Sequence, residues 1–176
     1  MRKLWKQLVI GSPFVMLMAL FLWWAQPAYA LTTADVTVNA TPSYISISVD
    51  NSTYDFGIVT ASSVTNSTTD YFNIDNTSSI QTDQTISVTT ALWLGGTNWT
   101  HAENGTAAAD TAGLKANKDG TWGVSDVIVQ NVTPDFIAEN QAANTDYAFG
   151  LQLLAPTSFS DGTNKVIVVR VTAAAG

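Results

Sequence analysis

The one histidine of the chain, His101, stands two residues before Glu103, one of only two glutamates. Residues two apart on an extended chain share a face, so His-x-Glu resembles half of a metal site. A zinc site takes three or four protein ligands, and the sequence supplies neither a second histidine nor a cysteine. His101 therefore reads as a surface loop residue, and no metal is expected. A serine hydrolase needs a base beside its nucleophile. His101 would have to serve alone, and no G-x-S-x-G turn is present. Glycoside hydrolysis needs two carboxylates flanking the sugar, yet spacing singles out no pair from Glu103, Glu139 and the scattered aspartates. The expectation is a protein without catalysis and without cofactors.

Two oxygen-rich stretches, Asp119-Gly120-Thr121 and Asp161-Gly162-Thr163-Asn164, have the composition of calcium loops in exported β-proteins. Asp-Gly is equally a plain turn dipeptide, and no D-x-D-x-D run occurs, so turns are expected. Trp93, Trp99 and Trp122, with Tyr44, Tyr54, Tyr71 and Tyr147, supply flat rings on which a sugar could stack. Core packing claims most aromatics of a small domain. Trp122 lies between Gly120 and Gly123 and is the best placed for a surface position. Trp122 and Trp99 are thus the candidate ligand-binding residues, with carbohydrate as the ligand.

The elements that must position these residues alternate with a period of two. Turn-prone Asn, Asp, Gly and Ser clusters interrupt them about every eight to twelve residues. Ile45, Ile47 and Val49 fall on one face, as do Phe72 and Ile74. Residues 54–59, 126–130 and 147–154 are further strand candidates, and residues 85–93 form the longest, ended by Gly95-Gly96. Residues 165–172 hold Val166-Ile167-Val168-Val169, an unbroken β-branched run that suits a strand covered on both faces or lying at an interface. Residues 102–118, rich in Ala and Thr, read as a long loop or a short helix over 107–112. A second helical turn is expected over 136–143. Seven to nine short strands without crossover helices predict an all-β, antiparallel sandwich, with an up-and-down barrel as the other closure.

Ahead of the strands, Arg2, Lys3 and Lys6 precede an uncharged apolar run over residues 8–25. Gln26-Pro27 and then Ala28-Tyr29-Ala30 follow. Basic, apolar, breaker and A-x-A is the layout of a secretory signal. Residues 1–30 are expected to be a signal helix cleaved after Ala30; retention as a membrane anchor is the other outcome, since the run approaches the ~20 residues that span a bilayer. Residues 31–176 then form a single domain, large enough for one core without a disulfide or metal staple. All fourteen acidic residues of the chain lie in it, against Lys115, Lys118, Lys165 and Arg170, leaving ten net negative charges. Such a surface repels nucleic-acid phosphates and anionic lipid. Seven N-x-[ST] triplets, at Asn39, Asn51, Asn66, Asn76, Asn98, Asn104 and Asn131, are candidate glycan acceptors on loops.

Tyr54-Asp55-Phe56-Gly57-Ile58-Val59, then residues 71–79, then Ile86-Ser87-Val88 follow the order F-G-x-V, polar loop, x-F-x-I-x-N-T-S, x-I-x-V. This resembles exported prokaryotic immunoglobulin-like domains over about residues 53–89. The resemblance implies an immunoglobulin-like β-sandwich and no particular activity. The expectation is a secreted, acidic surface or structural protein of the cell envelope or virion, working through protein partners or self-assembly. A carbohydrate-binding module is the alternative. Edge pairing of the first strand, about Val36 to Val38, or of the last, about Val166 to Val171, is the expected route of assembly.

Overall fold

Alternating apolar residues become stable only when strands pair and turn one face toward a second layer. The computed structural model describes residues 37–176, and Thr41–Gly176 forms one unit. The expected signal helix and its cleavage point lie outside the described residues. Eleven strands among the described residues, against the seven to nine expected, follow in order: β1 (Ile47–Asp50), β2 (Val64–Asn66), β3 (Phe72–Asn76), β4 (Thr82–Val88), β5 (Leu92–Trp93) and β6 (Trp99–His101), then β7 (Thr111–Asn117), β8 (Val127–Ile128), β9 (Asp135–Gln141), β10 (Thr145–Leu154) and β11 (Val169–Ala175). No helix occurs among the described residues.

The strands make two sheets. The larger runs β1-β3-β10-β7-β6-β5, with β2 added to β10 and β8 to β7; the smaller runs β11-β4-β9. β10 is the spine of the larger sheet. Its first half pairs with β3, and its second half lies between β7 and β2. All pairs are antiparallel except β6 with β7, which run parallel. Ile86, Val88 and Ile137 of the smaller sheet share one core with Phe72, Ile74, Leu114, Phe149 and Leu151 of the larger. Each such side chain contributes roughly 1.5–3 kcal/mol when fully buried.

Several expectations are corrected. Residues 102–118, expected as a long loop or a short helix over 107–112, instead hold β7 after a tight turn: Ala108 and Thr111 exchange backbone hydrogen bonds of 3.1 and 3.2 Å, with Asp110 at φ 46°. The helical turn expected over 136–143 is β9, because pairing with β4 buries Ile137 and Ala138 and overrides the helical preference of Ala, Glu and Gln. Residues 54–59 are not a strand; Tyr54, Phe56 and Val59 pack half-buried against the core from an irregular segment. The β-branched run near the C-terminus is not covered on both faces. β11 is an edge strand whose side chains alternate between half-buried and exposed, and Val166 and Val168 ahead of it are 55% and 57% exposed.

That edge is longer than β11 alone. Val88 pairs with Val169, and beyond an irregular step at residues 89–91 Leu94 pairs with Val166. Residues 166–175 therefore run antiparallel to residues 82–94 and pass with them from the smaller sheet to β5 of the larger.

Candidate functional site

At this corner the turn after β5 meets the loop before β11. Gly95 (φ 137°) and Gly96 (φ 53°) permit the approach: a Cβ on Gly95 would lie 2.0 Å from the carbonyl oxygen of Asn164, and one on Gly96 would lie 2.2 Å from Thr163 Oγ1. Asp161 joins the two segments. Its carboxylate accepts the backbone N–H groups of Thr97 and Thr163 and the Thr163 hydroxyl, and forms an ion pair with Lys165 Nζ. The Lys165 bond, then Thr163 and Thr97, hold this carboxyl well below the usual range. Lys165, its side chain 3% exposed, also donates to Gly95 O at 2.6 Å and lies 5.6 Å from the centroid of the Trp99 ring. Asp161 is thus a structural clamp made within the protein.

Trp99 is not a surface ring. It is 6% exposed, stacked on Phe159 at 5.2 Å and 14°, with Trp93 at 6.3 Å. Its ring is packed against side chains of its own chain, and Lys165 Nζ lies over it. Trp122 is half-buried in the turn between β7 and β8 and packs over Gly150, where an added Cβ would meet its ring at 3.0 Å. Trp99 and Trp122 are placed on different elements and share no ring contact.

His101 is also corrected, from loop to core. It is buried in β6, between β5 and the parallel start of β7, and Nε2 donates to Val129 O at 2.6 Å. The acceptor is a carbonyl, so the proton of that bond sits on Nε2; Nδ1 has no partner among the described residues. Glu103 turns to a different task, accepting the backbone N–H groups of Asn131 and Val132. No group of three or more metal-ligating side chains exists among the described residues. Asp119 is held by Ser125, Thr121 and Asn117, which lower its pKa. Beside it lies a cleft of about 300 Å³ lined by Lys118, Asp119, Ser125, Glu139 and Tyr147 among others. Burial, then the nearby Asp119 charge, raises the Tyr147 pKa. Its hydroxyl donates to Lys118 O.

The long edge itself is a second feature of this corner. Thr89 N–H bonds Val168 O, Val166 and Leu94 exchange both bonds, and Gly176 N–H bonds Gln81 O. In an antiparallel ladder this alternation directs the even residues toward β4 and β5. The N–H and C=O groups of Ile167, Val169, Val171, Ala173 and Ala175 then face away, toward a side that no strand covers among the described residues. Leu92, Leu94, Val166 and Val168 are exposed beside it. The other edges are short or guarded. β1 has four residues and ends at Asp50; β9 follows Pro134, carries Asp135 and Glu139, and shifts register against β4. β11 has neither proline nor bulge and only one charge, Arg170.

Sequence reasoning missed Leu92 and Leu94, although the order Leu92-Trp93-Leu94 places both on the face opposite a buried tryptophan. Among the expected glycan acceptors, Asn76 is excluded. It is fully buried, donating from Nδ2 to Thr82 Oγ1 and Ala142 O. No protein-family model, curated protein or solved structure matches this chain.

Proposed function

We propose that this is an exported, non-catalytic protein of the cell or virion surface: an immunoglobulin-like β-sandwich that acts by assembling with protein partners. The observation that carries the reading is the uncovered edge over residues 166–175, flanked by Leu92, Leu94, Val166 and Val168. A long uncovered edge with one charge is a template for another strand, and proteins that remain monomeric usually protect such edges. The signal-like order of residues 1–30 supports export, and the ten net negative charges of residues 31–176 suit a soluble exterior surface.

Fractionation of the producing cells, followed by light scattering and electron microscopy of the exported chain, tests the reading. The expected result is a chain in the envelope or medium that forms species of higher mass than the monomer. A chain retained in the cytosol, or one exported as a strict monomer, contradicts it.

A further inference from the structure

We infer that the segment Thr33-Ala34-Asp35-Val36-Thr37-Val38 of one molecule adds as an antiparallel strand to the residue 167–172 edge of a second copy, so that molecules chain head to tail. The inference deepens the assembly reading above and rests on it, because removal of residues 1–30 is what leaves this segment near a free end. Residues 33–36 lie outside the described residues; their sequence and the geometry of the edge carry the argument.

The edge dictates its occupant's pattern. Ile167, Val169 and Val171 turn their side chains to the half-buried face, whereas Val168, Arg170 and Thr172 face out. An incoming strand must offer apolar residues at alternate positions toward the first set and polar ones toward the second. Residues 33–38 meet this in one antiparallel register: Val38 beside Ile167, Val36 beside Val169 and Ala34 beside Val171, with Thr37, Asp35 and Thr33 beside Val168, Arg170 and Thr172. The single acid of the segment then faces the single charge of β11. Opposite charges directly across a ladder support pairing. The segment has no proline, so none of its N–H groups is missing from the ladder.

Val38 is 83% exposed, and residues 37–46 belong to no strand. An apolar side chain is thus left uncovered on the same segment whose pattern fits the edge. A parallel approach could also place Asp35 beside Arg170. It would set Val38 against the small Ala173 instead of Ile167, and parallel pairing is slightly weaker per residue. Donation from one molecule to the next is heterologous, so each unit offers one strand and one edge, and the product is open-ended.

The chain has no cysteine, so introduced thiols report only on each other. Asp35→Cys with Arg170→Cys occupies a non-hydrogen-bonded pair of the register, where Cα atoms lie about 4.5 Å apart, within disulfide range. Oxidation of the exported double variant should give a ladder of dimers, trimers and longer species on a non-reducing gel, collapsed by reductant. Each single variant should yield at most dimers at background level. Thr33→Cys with Thr172→Cys should cross-link equally, and Thr37→Cys with Thr172→Cys should not. In a second route, Asp35→Arg alone should lower the assembled fraction and Asp35→Arg with Arg170→Asp should restore it.

A cross-link within one molecule overturns donation between copies. Preferential linking of Thr37→Cys to Thr172→Cys overturns the antiparallel register. Strong dimers from Thr172→Cys alone show two β11 edges pairing with each other and overturn the assignment of the occupant. High-mass species in the unsubstituted protein without any of these cross-links reject this inference and leave the assembly reading standing, whereas a strictly monomeric unsubstituted protein rejects both.

Discussion

At the scale of single residues, Asp161 concentrates the most interactions, joining Thr97, Thr163 and Lys165. Its pKa is depressed in the folded protein, principally by Lys165. The stabilisation is therefore fully present above the carboxylate's unfolded value of about 3.9. It is lost as pH falls from there toward the folded value. Asp161→Asn is expected to melt below the wild type at pH 7, with the gap narrowing only below about pH 4; thermal melts from pH 7 to pH 2 check this. A gap that widens on acidification would contradict the clamp. Gly95→Ala meets a backbone carbonyl at 2.0 Å, an overpacking that costs about 1–3 kcal/mol, measurable by urea unfolding. Ile86→Ala, at a fully buried position shared by both sheets, should cost about 2–5 kcal/mol in the same assay. The sequence made Phe72, Ile74 and Ile86 readable as core, because their alternation is local. It concealed the burial of His101, which lies across from Ala112 in the parallel β6–β7 pair, and of Trp99, which stacks on Phe159, because neither contact is local in sequence.

At the scale of elements, β11 shows what alternation does and does not reveal. Residues 147–154 predict a strand, and β10 spans Thr145–Leu154. Its inward Phe149, Leu151 and Leu153 encode its place in the sheet. Val166-Ile167-Val168-Val169 encodes a strand but not its number of neighbours, since β-branched residues fit edge and centre alike. β9 was hidden by Ala-Glu-Asn-Gln-Ala, whose local preference is helical and whose register with β4 is irregular. The edge assignment has its own test. Ala173 directs its N–H outward and Ala174 directs its N–H to β4, by the alternation of the ladder. Ala174→Pro removes a ladder donor and leaves an acceptor unpaired, so it should be about 1–3 kcal/mol less stable than Ala173→Pro. Chemical denaturation of the two variants decides it. Equal losses would mean that both sides of β11 are paired.

At the scale of the whole molecule, two sheets share one core and leave the long edge of β11 uncovered among the described residues. All-β architecture was legible from the regular spacing of short alternating runs and the turn residues between them. The division into an eight-stranded and a three-stranded sheet was not, because the step at residues 89–91 that carries one ribbon across both sheets is set by packing of the whole chain. The account predicts that export removes residues 1–30, giving a product that begins at Leu31, a point that intact mass of the exported chain verifies. Its central claim, assembly through the open edge outside the cytosol, meets its most direct test in light scattering of that exported chain across a concentration series. The account predicts a mass that rises with concentration to multiples of the monomer. A constant monomer mass at every concentration would contradict it.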